Sequence, residues 1–219
     1  HVQDKNYPLD FARMTAELGV TWESRNTSFK PYPVAHVIHS FLDAILHLYR
    51  TEGLRAEHVE KIVCPIAQYM IPVVCEPVAE KFAPASDSHG RVSLQFSLAE
   101  ALVRGKLGVD AYSKEALRDP AILALARKVS YIVDEDAPGR GQYKGWVVVH
   151  TKDGRKLERI EPHNRGSAEN PMAAGDVQAK FRENGGRTLT KRALDDIVAV
   201  CDRLEREPRI ASLIDRCIR

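Results

Sequence analysis

The stretch "FKPYPVAHVIHSFLDAILHL", residues 29–48, sets one lysine in a proline elbow directly ahead of a histidine-bearing helix. Val34, Val37, Ile38, Phe41, Ile45, Leu48 and Tyr49 recur at three- and four-residue steps, the period of a helix with one buried face, and Gly53 closes it. Lys30 precedes Pro31, so its backbone is pushed towards an extended shape, and Pro33 fixes the next step just before the helix begins. A lysine on such a segment loses little freedom when it grips an anion, and a nearby helix amino terminus also favours a carboxylate. The same pattern is equally written by a solvated loop lysine beside a well-capped helix. His36, His39, Asp43 and Arg50 share an arc opposite the apolar stripe. His39 and Asp43 stand four apart, so the carboxylate can bond the imidazole and raise its pKa, or the arc is simply a wet polar face.

Working outward, apolar positions from Pro8 to Leu18 predict a helix stopped by Gly19. "VEKIVCPIAQYMIPVV" changes to a β-branched pattern, and Pro65 argues for an edge strand or a bulge. "VSLQFSLAEALVRG" predicts a small-residue-rich helix ending at Gly105, with Ser93, Ser97, Ala99 and Ala101 suited to close packing. Asp119 caps a helix begun by Pro120. "VSYIVDED" and "KGWVVVHTKDGRKLERIE" read as strands, the second a hairpin turning at Asp153-Gly154. "PHNRGSAENP" is a loop whose Gly166 permits a positive backbone dihedral, and the rest is helical. Strands and helices that do not strictly alternate predict an α+β fold.

Composition excludes several classes. Of 219 residues 44% are hydrophobic and 28% charged, which suits an ordinary globular chain with a core. Thirty-two basic against thirty acidic residues, interspersed as in "KDGRKLERIEPHNR", leave no nucleic-acid stripe. Cys64, Cys75, Cys201 and Cys217 show neither metal-ligand spacing nor the density of a disulfide scaffold, so reduced thiols and a cytoplasmic location are the expectation. No apolar run approaches the roughly 20 residues that span a bilayer, and no leader is read. His36-x-x-His39 lacks the companions of a metal site. There is no G-x-S-x-G, Walker loop or G-x-G-x-x-G. The chain opens without Met inside a helical pattern, which suggests a piece of a longer protein.

Taken in order, these stretches resemble the MmgE/PrpD (2-methylcitrate dehydratase) family, which includes cis-aconitate decarboxylase and iminodisuccinate epimerase. "LGVTWESRNTSFKPYP" and "HVIHSFLDAILHL" look like its lysine–proline elbow and H-x-x-x-D-A helix. "VVCEPVAEKFAP", "SLQFSLAEALVRG", "RDPAILALARKV", the D-G hairpin and "NRGSAENPMAAGDVQAKF" follow in the family's sequence. The resemblance implies a small α+β lid inserted in an all-helical domain, with residues 1–27 and 171–219 belonging to the helical part and 28–170 to the lid. It implies a lyase of propionate-type metabolism that moves a proton beside a carboxylate on a small di- or tricarboxylic acid such as 2-methylcitrate. No metal or organic cofactor, nucleic acid or membrane is implied, and a homodimer is. Lys30 matches the family's substrate-reaching elbow lysine and is the candidate catalytic and substrate-binding residue. His39 matches the motif histidine, a second catalytic candidate, and Ser93 the helix-start serine close to the cleft, a substrate-binding candidate.

Two departures point to a different substrate subgroup. Val34 and Ala35 stand where many members carry cysteine, and Val74 and Cys75 where some carry tyrosine. The family's main acidic and histidine residues lie upstream of the matching region, so this chain is expected to carry part of a site and to show no turnover alone. An epimerase, a decarboxylase, or a non-catalytic carboxylate-binding lid module are the rival readings.

Overall fold

Helix α1, His39–Thr51, is entered through a 3-10 turn at His36–Ile38 and is the element around which the rest is laid. In chain order there follow β1 (Val59–Ile66), α2 (Ile71–Val74), α3 (Val78–Phe82), α4 (Asp87–Gly90), α5 (Leu94–Arg104) and α6 (Pro120–Ala126). Then come β2 (Val129–Val133), β3 (Gly145–Thr151), β4 (Lys156–Glu161), α7 (Ala174–Gly185), α8 (Lys191–Cys201) and α9 (Ala211–Cys217). This computed structural model describes residues 10–139 and 142–218. The fold is α+β, as the element order predicts.

The four strands form one mixed sheet in the order β2-β1-β3-β4. β1 runs parallel to β2 and antiparallel to β3, and β3 and β4 form the hairpin turned at Asp153-Gly154. A parallel pair needs a long crossover, and the segment holding α2 to α6 supplies it. α1 packs on β3, β4 and α5, and α5 packs in turn on α6. Phe41, Leu42, Ile45, Phe96, Leu98, Ile62, Val147 and Val149 are fully buried between these layers. Alternation along β3 sends Val147 and Val149 to the helices and Trp146 and His150 to the other face.

Local chemistry explains the helix ends. Ser93 accepts from Phe96 N at 3.0 Å at the start of α5, and Gly105 adopts φ +70° at its end. Asp119 accepts from Ala121 N at 2.9 Å, ahead of the first-turn Pro120. α1 and β3 meet backbone to backbone. A Cβ on Gly145 would stand 2.2 Å from the Ser40 carbonyl carbon, and Ser40 Oγ donates to Tyr143 O.

Three expectations need correction. β1 is an interior strand, not an edge strand, and the bulge alternative is met only away from Pro65, where its ladder to β3 shifts register between Val59 and Lys61. Its ladder to β3 ends at Val63↔Val148, whereas its pairing with β2 runs on to Ile66↔Val133. Pro65 therefore sits where β1 has a neighbour on one side, and its missing N–H interrupts no bond. The strand also stops at Ile66; a 3-10 turn at Gln68–Met70 follows, and Pro72 sits in the first turn of α2, where a missing N–H is tolerated. Finally, the predicted helix over residues 8–18 appears as a 3-10 turn at Phe11–Met14 followed by turns, its first two positions lying outside the described residues. Phe11, Met14 and Leu18 are 71%, 75% and 72% exposed. A short helix with no surface to pack its apolar face on gains too little to offset nucleation.

α7, α8 and α9 follow the sheet and carry their own small apolar cluster. Leu194, Ile197 and Val200 are buried outside the main core. Polar links tie these helices back: Arg165–Asp176 at 3.0 Å, Lys106–Glu183 at 3.8 Å and Arg187–Asp110. Among the described residues no helix is long and apolar enough to cross a membrane.

The tight α1–β3 approach generates a test. Gly145→Ala should destabilise the chain by about 1–3 kcal/mol, read as a lower thermal midpoint. An unchanged midpoint would contradict that contact.

Candidate functional site

The proline elbow is pinned on three sides. Phe29 N donates to Gly166 O at 2.8 Å, Ala35 N donates to Arg91 O at 2.8 Å, and Arg91 Nη1 donates to Pro33 O at 2.8 Å. The buried Tyr32 hydroxyl donates to Asp43 Oδ1 at 2.7 Å. The other Asp43 oxygen accepts from Arg165 N at 2.9 Å. One carboxylate on α1 thus holds both the elbow and the loop after β4. Burial raises the Asp43 pKa, while the donations from Arg165 and Tyr32 oppose that rise. Burial first, and the Asp43 charge next, push the Tyr32 phenol well up.

Loop 162–171 is drawn in by this bond and by its own turn. Gly166 has φ +93°, and a Cβ there would stand 2.0 Å from Phe29 O. Gly166 N donates to Asn170 O at 2.7 Å, and Asn170 Nδ2 to His163 O at 3.2 Å. The sequence admitted a backbone-lined site or a plain surface loop here. Asn164 and Ser167 are in fact buried. Ser28, His36, Tyr143, Asn164 and Ser167 line a polar pocket of about 510 Å³ between loop and elbow. An adjoining pocket of about 620 Å³ is walled partly by Trp22, Phe29 and Met172.

Lys30 is exposed on the elbow, its Nζ donating to Val34 O at 3.3 Å. Its main-chain oxygen accepts from Lys180 Nζ of α7, which brings a second ammonium group to the elbow. Among the described residues no carboxylate pairs with Lys30. Its charge is close enough to help lower the pKa of His36, behind the larger effect of burial. The His36 ring stands 4.8 Å from the Tyr143 ring and 5.0 Å from the His39 ring.

The other two candidates lie inside. His39 is fully buried, with Nε2 3.4 Å from Val34 O and Nδ1 without a partner among the described residues. Asp43 does not bond it as the four-residue spacing suggests; its two oxygens are turned to Tyr32 and Arg165 instead. Its pKa is consequently not raised. Burial, then the neighbouring His36, bring it down to about 3. Ser93 is sealed as well, its Oγ donating to Lys81 O at 2.6 Å while capping α5. It lies two residues from Arg91, which touches the elbow, yet its hydroxyl is turned inward.

Lys30, His36 and His39 are therefore brought together, and Ser93 is not. Sequence reasoning missed Asn164, Tyr143 and Tyr69, whose hydroxyl donates to Gln142 O at 3.4 Å on the pocket wall. Tyr143 meets Ser40 of α1, Asn164 meets His36, and Tyr69 meets Gln142, all by tertiary contacts that no local spacing announces. Among the described residues no group of three or more His, Cys, Asp or Glu side chains is placed to hold a metal ion. Cys64 and Cys75 are buried and free, and burial pushes the Cys75 thiol up to about 12.

Two outcomes check this geometry. Asp43→Ala strands the Tyr32 hydroxyl and the Arg165 N–H together, and should cost about 2–4 kcal/mol in denaturant unfolding. Tyr32→Phe should cost less, and the two together should be no worse than Asp43→Ala alone, since both remove the same bond. Full additivity would contradict the clamp. For His39 the unfolded imidazole takes a proton near 6.5 and the folded one near about 3. Stability is thus lost as pH falls through that window, by up to about 1.4 kcal/mol per unit. His39→Gln should flatten the acid limb, and an unaltered slope would show that His39 is not held neutral.

Comparison with known proteins bears on the family of the chain. A profile of the MmgE/PrpD C-terminal domain matches residues 32–204. Cis-aconitate decarboxylase of Mus musculus is 24% identical over 190 residues, covering 84% of this chain. The match spans 38% of that relative's length. With the profile running from the elbow through α8, the chain belongs to the MmgE/PrpD family.

Proposed function

We propose that this chain supplies the carboxylate-gripping part of a cofactor-independent lyase acting on a small di- or tricarboxylic acid. The observation that carries this reading is Lys30. It is an exposed ammonium with no carboxylate partner among the described residues, presented by an elbow whose backbone is fixed by Gly166, Arg91 and, through Tyr32, Asp43. A cation held in this way meets an anion with little ordering left to do. Proton abstraction beside a carboxylate builds negative charge on that group, and a fixed ammonium stabilises it as it forms. Lys180 reinforces the positive potential from α7. His39 acts as a positioning residue that supports the Val34 carbonyl, and Ser93 serves the fold as the cap of α5. In this reading residues 28–170 are the lid over the site and 171–219 return to the helical domain.

Within the family, dehydration of a 2-methylcitrate-like substrate and decarboxylation of a cis-aconitate-like one share this requirement. The relationship to cis-aconitate decarboxylase favours the second chemistry as the first to assay. A second reading is a carboxylate-binding module without turnover. What favours it is that burial lowers the basicity of both His36 and His39, leaving neither a strong proton acceptor near neutral pH.

Calorimetry with tricarballylate, a tricarboxylate with no double bond or hydroxyl to react, tests the grip apart from turnover. Lys30→Ala should weaken its binding by about tenfold or more, as expected for losing one charge-assisted bond. Equal affinity of the variant and the parent chain would overturn the assignment. Product formed from cis-aconitate or 2-methylcitrate by the parent chain would exclude the binding-only reading.

A further inference from the structure

Asn164 dictates what His36 can do. The Asn164 side-chain nitrogen lies 3.0 Å from His36 Nε2 and 3.3 Å from the Arg165 carbonyl oxygen. A carbonyl oxygen accepts and cannot donate, so the amide atom facing it is the NH2 group and not the amide oxygen. That same nitrogen donates its second hydrogen to the imidazole. His36 Nε2 is then the bare, accepting nitrogen, and Nδ1 carries the ring proton.

The amide itself is well anchored. Asn164 is 4% exposed, and Arg165, the next residue, is tied through its N–H to Asp43. The Lys30 charge adds to burial in disfavouring a second proton on His36, whereas His39, one ring away, is itself held neutral. His163 and Glu169 are the other titratable groups lining the same pocket beside Tyr143. Nδ1 has no acceptor among the described residues and is not among the sealed polar atoms. His36 thus carries an unused N–H at a pocket of about 510 Å³.

We propose that His36 is a neutral hydrogen-bond donor to the ligand, giving its Nδ1–H to a carboxylate oxygen, with Asn164 as the positioning residue that fixes this tautomer. The identity of the ligand as a carboxylate rests on the function proposed above, whereas the tautomer does not. Lys30 then supplies the charge and His36 a direction. A neutral donor keeps its proton across the neutral range, so recognition does not switch off as an imidazolium titrates.

Long-range proton–nitrogen NMR correlation of the labelled chain tests this without any ligand, with a His36→Gln spectrum identifying the signals. The expected result near neutral pH is a protonated Nδ1 and a bare Nε2, with the ring taking its second proton only below the ordinary imidazole range. A protonated Nε2, or an imidazolium at neutral pH, would overturn the proposal. Asn164→Asp replaces the donor by an acceptor, so Nε2 should gain the proton and the ring should titrate at least about one unit higher. An Asn164→Asp spectrum identical to the parent would also overturn it. Should that variant not fold, the parent spectrum still decides the tautomer. Adding tricarballylate should move the Nδ1 proton signal downfield, and His36→Gln should bind it about tenfold more weakly. Saturable binding that leaves Nδ1 unmoved would overturn the donor role. No binding at all would overturn the carboxylate reading, which the ligand-free spectrum distinguishes from a failure of the tautomer.

Discussion

The buried carboxylate of Asp43 is the contact on which the site depends. It is fixed on α1, and its two oxygens take one bond from Tyr32 of the elbow and one from the Arg165 backbone of a loop more than a hundred residues away in sequence. A buried carboxylate is costly unless both oxygens are satisfied, so the elbow and the loop must both be in place before α1 can keep it. The clamp also explains the neighbours. With Tyr32 held, Lys30 has a defined place; with Arg165 held, the adjacent Asn164 reaches His36.

The same packing sets the electrostatics. Two imidazoles lie in contact, one half-buried and one fully buried, beside Lys30 and within reach of the Lys180 charge. Burial is the larger cause of their lowered basicity, and the like charges add to it. The site therefore offers positive charge from lysines and neutral polarity from histidines. That division suits an anion whose position matters more than its rapid protonation.

Much of the fold was legible in local chemistry. The apolar stripe from Val34 to Tyr49, the Ser93 and Asp119 caps, Gly105 and the Asp153-Gly154 turn each act within a few residues, and each stands where expected. Misreadings arose where a tertiary neighbour decided the matter. Pro65 is tolerated in an interior strand because the β3 ladder ends before it, which a single strand's sequence cannot show. The stripe at Phe11, Met14 and Leu18 has the period of a helix, but no surface among the described residues covers it. His39 and Asp43 have helical spacing for a bond, yet Asp43 turns to distant partners with N–H and O–H groups already buried around it. The proline elbow itself singles out Lys30 and the resemblance strengthens that reading, whereas Asn164 carries no local signal of its importance.

The most direct test of this account is a crystal structure of the chain with tricarballylate bound. A carboxylate oxygen should lie within roughly 2.7–3.2 Å of Lys30 Nζ, with the ligand extending towards His36 and loop 162–171. Ligand density elsewhere, with Lys30 still turned to the Val34 carbonyl, would contradict it.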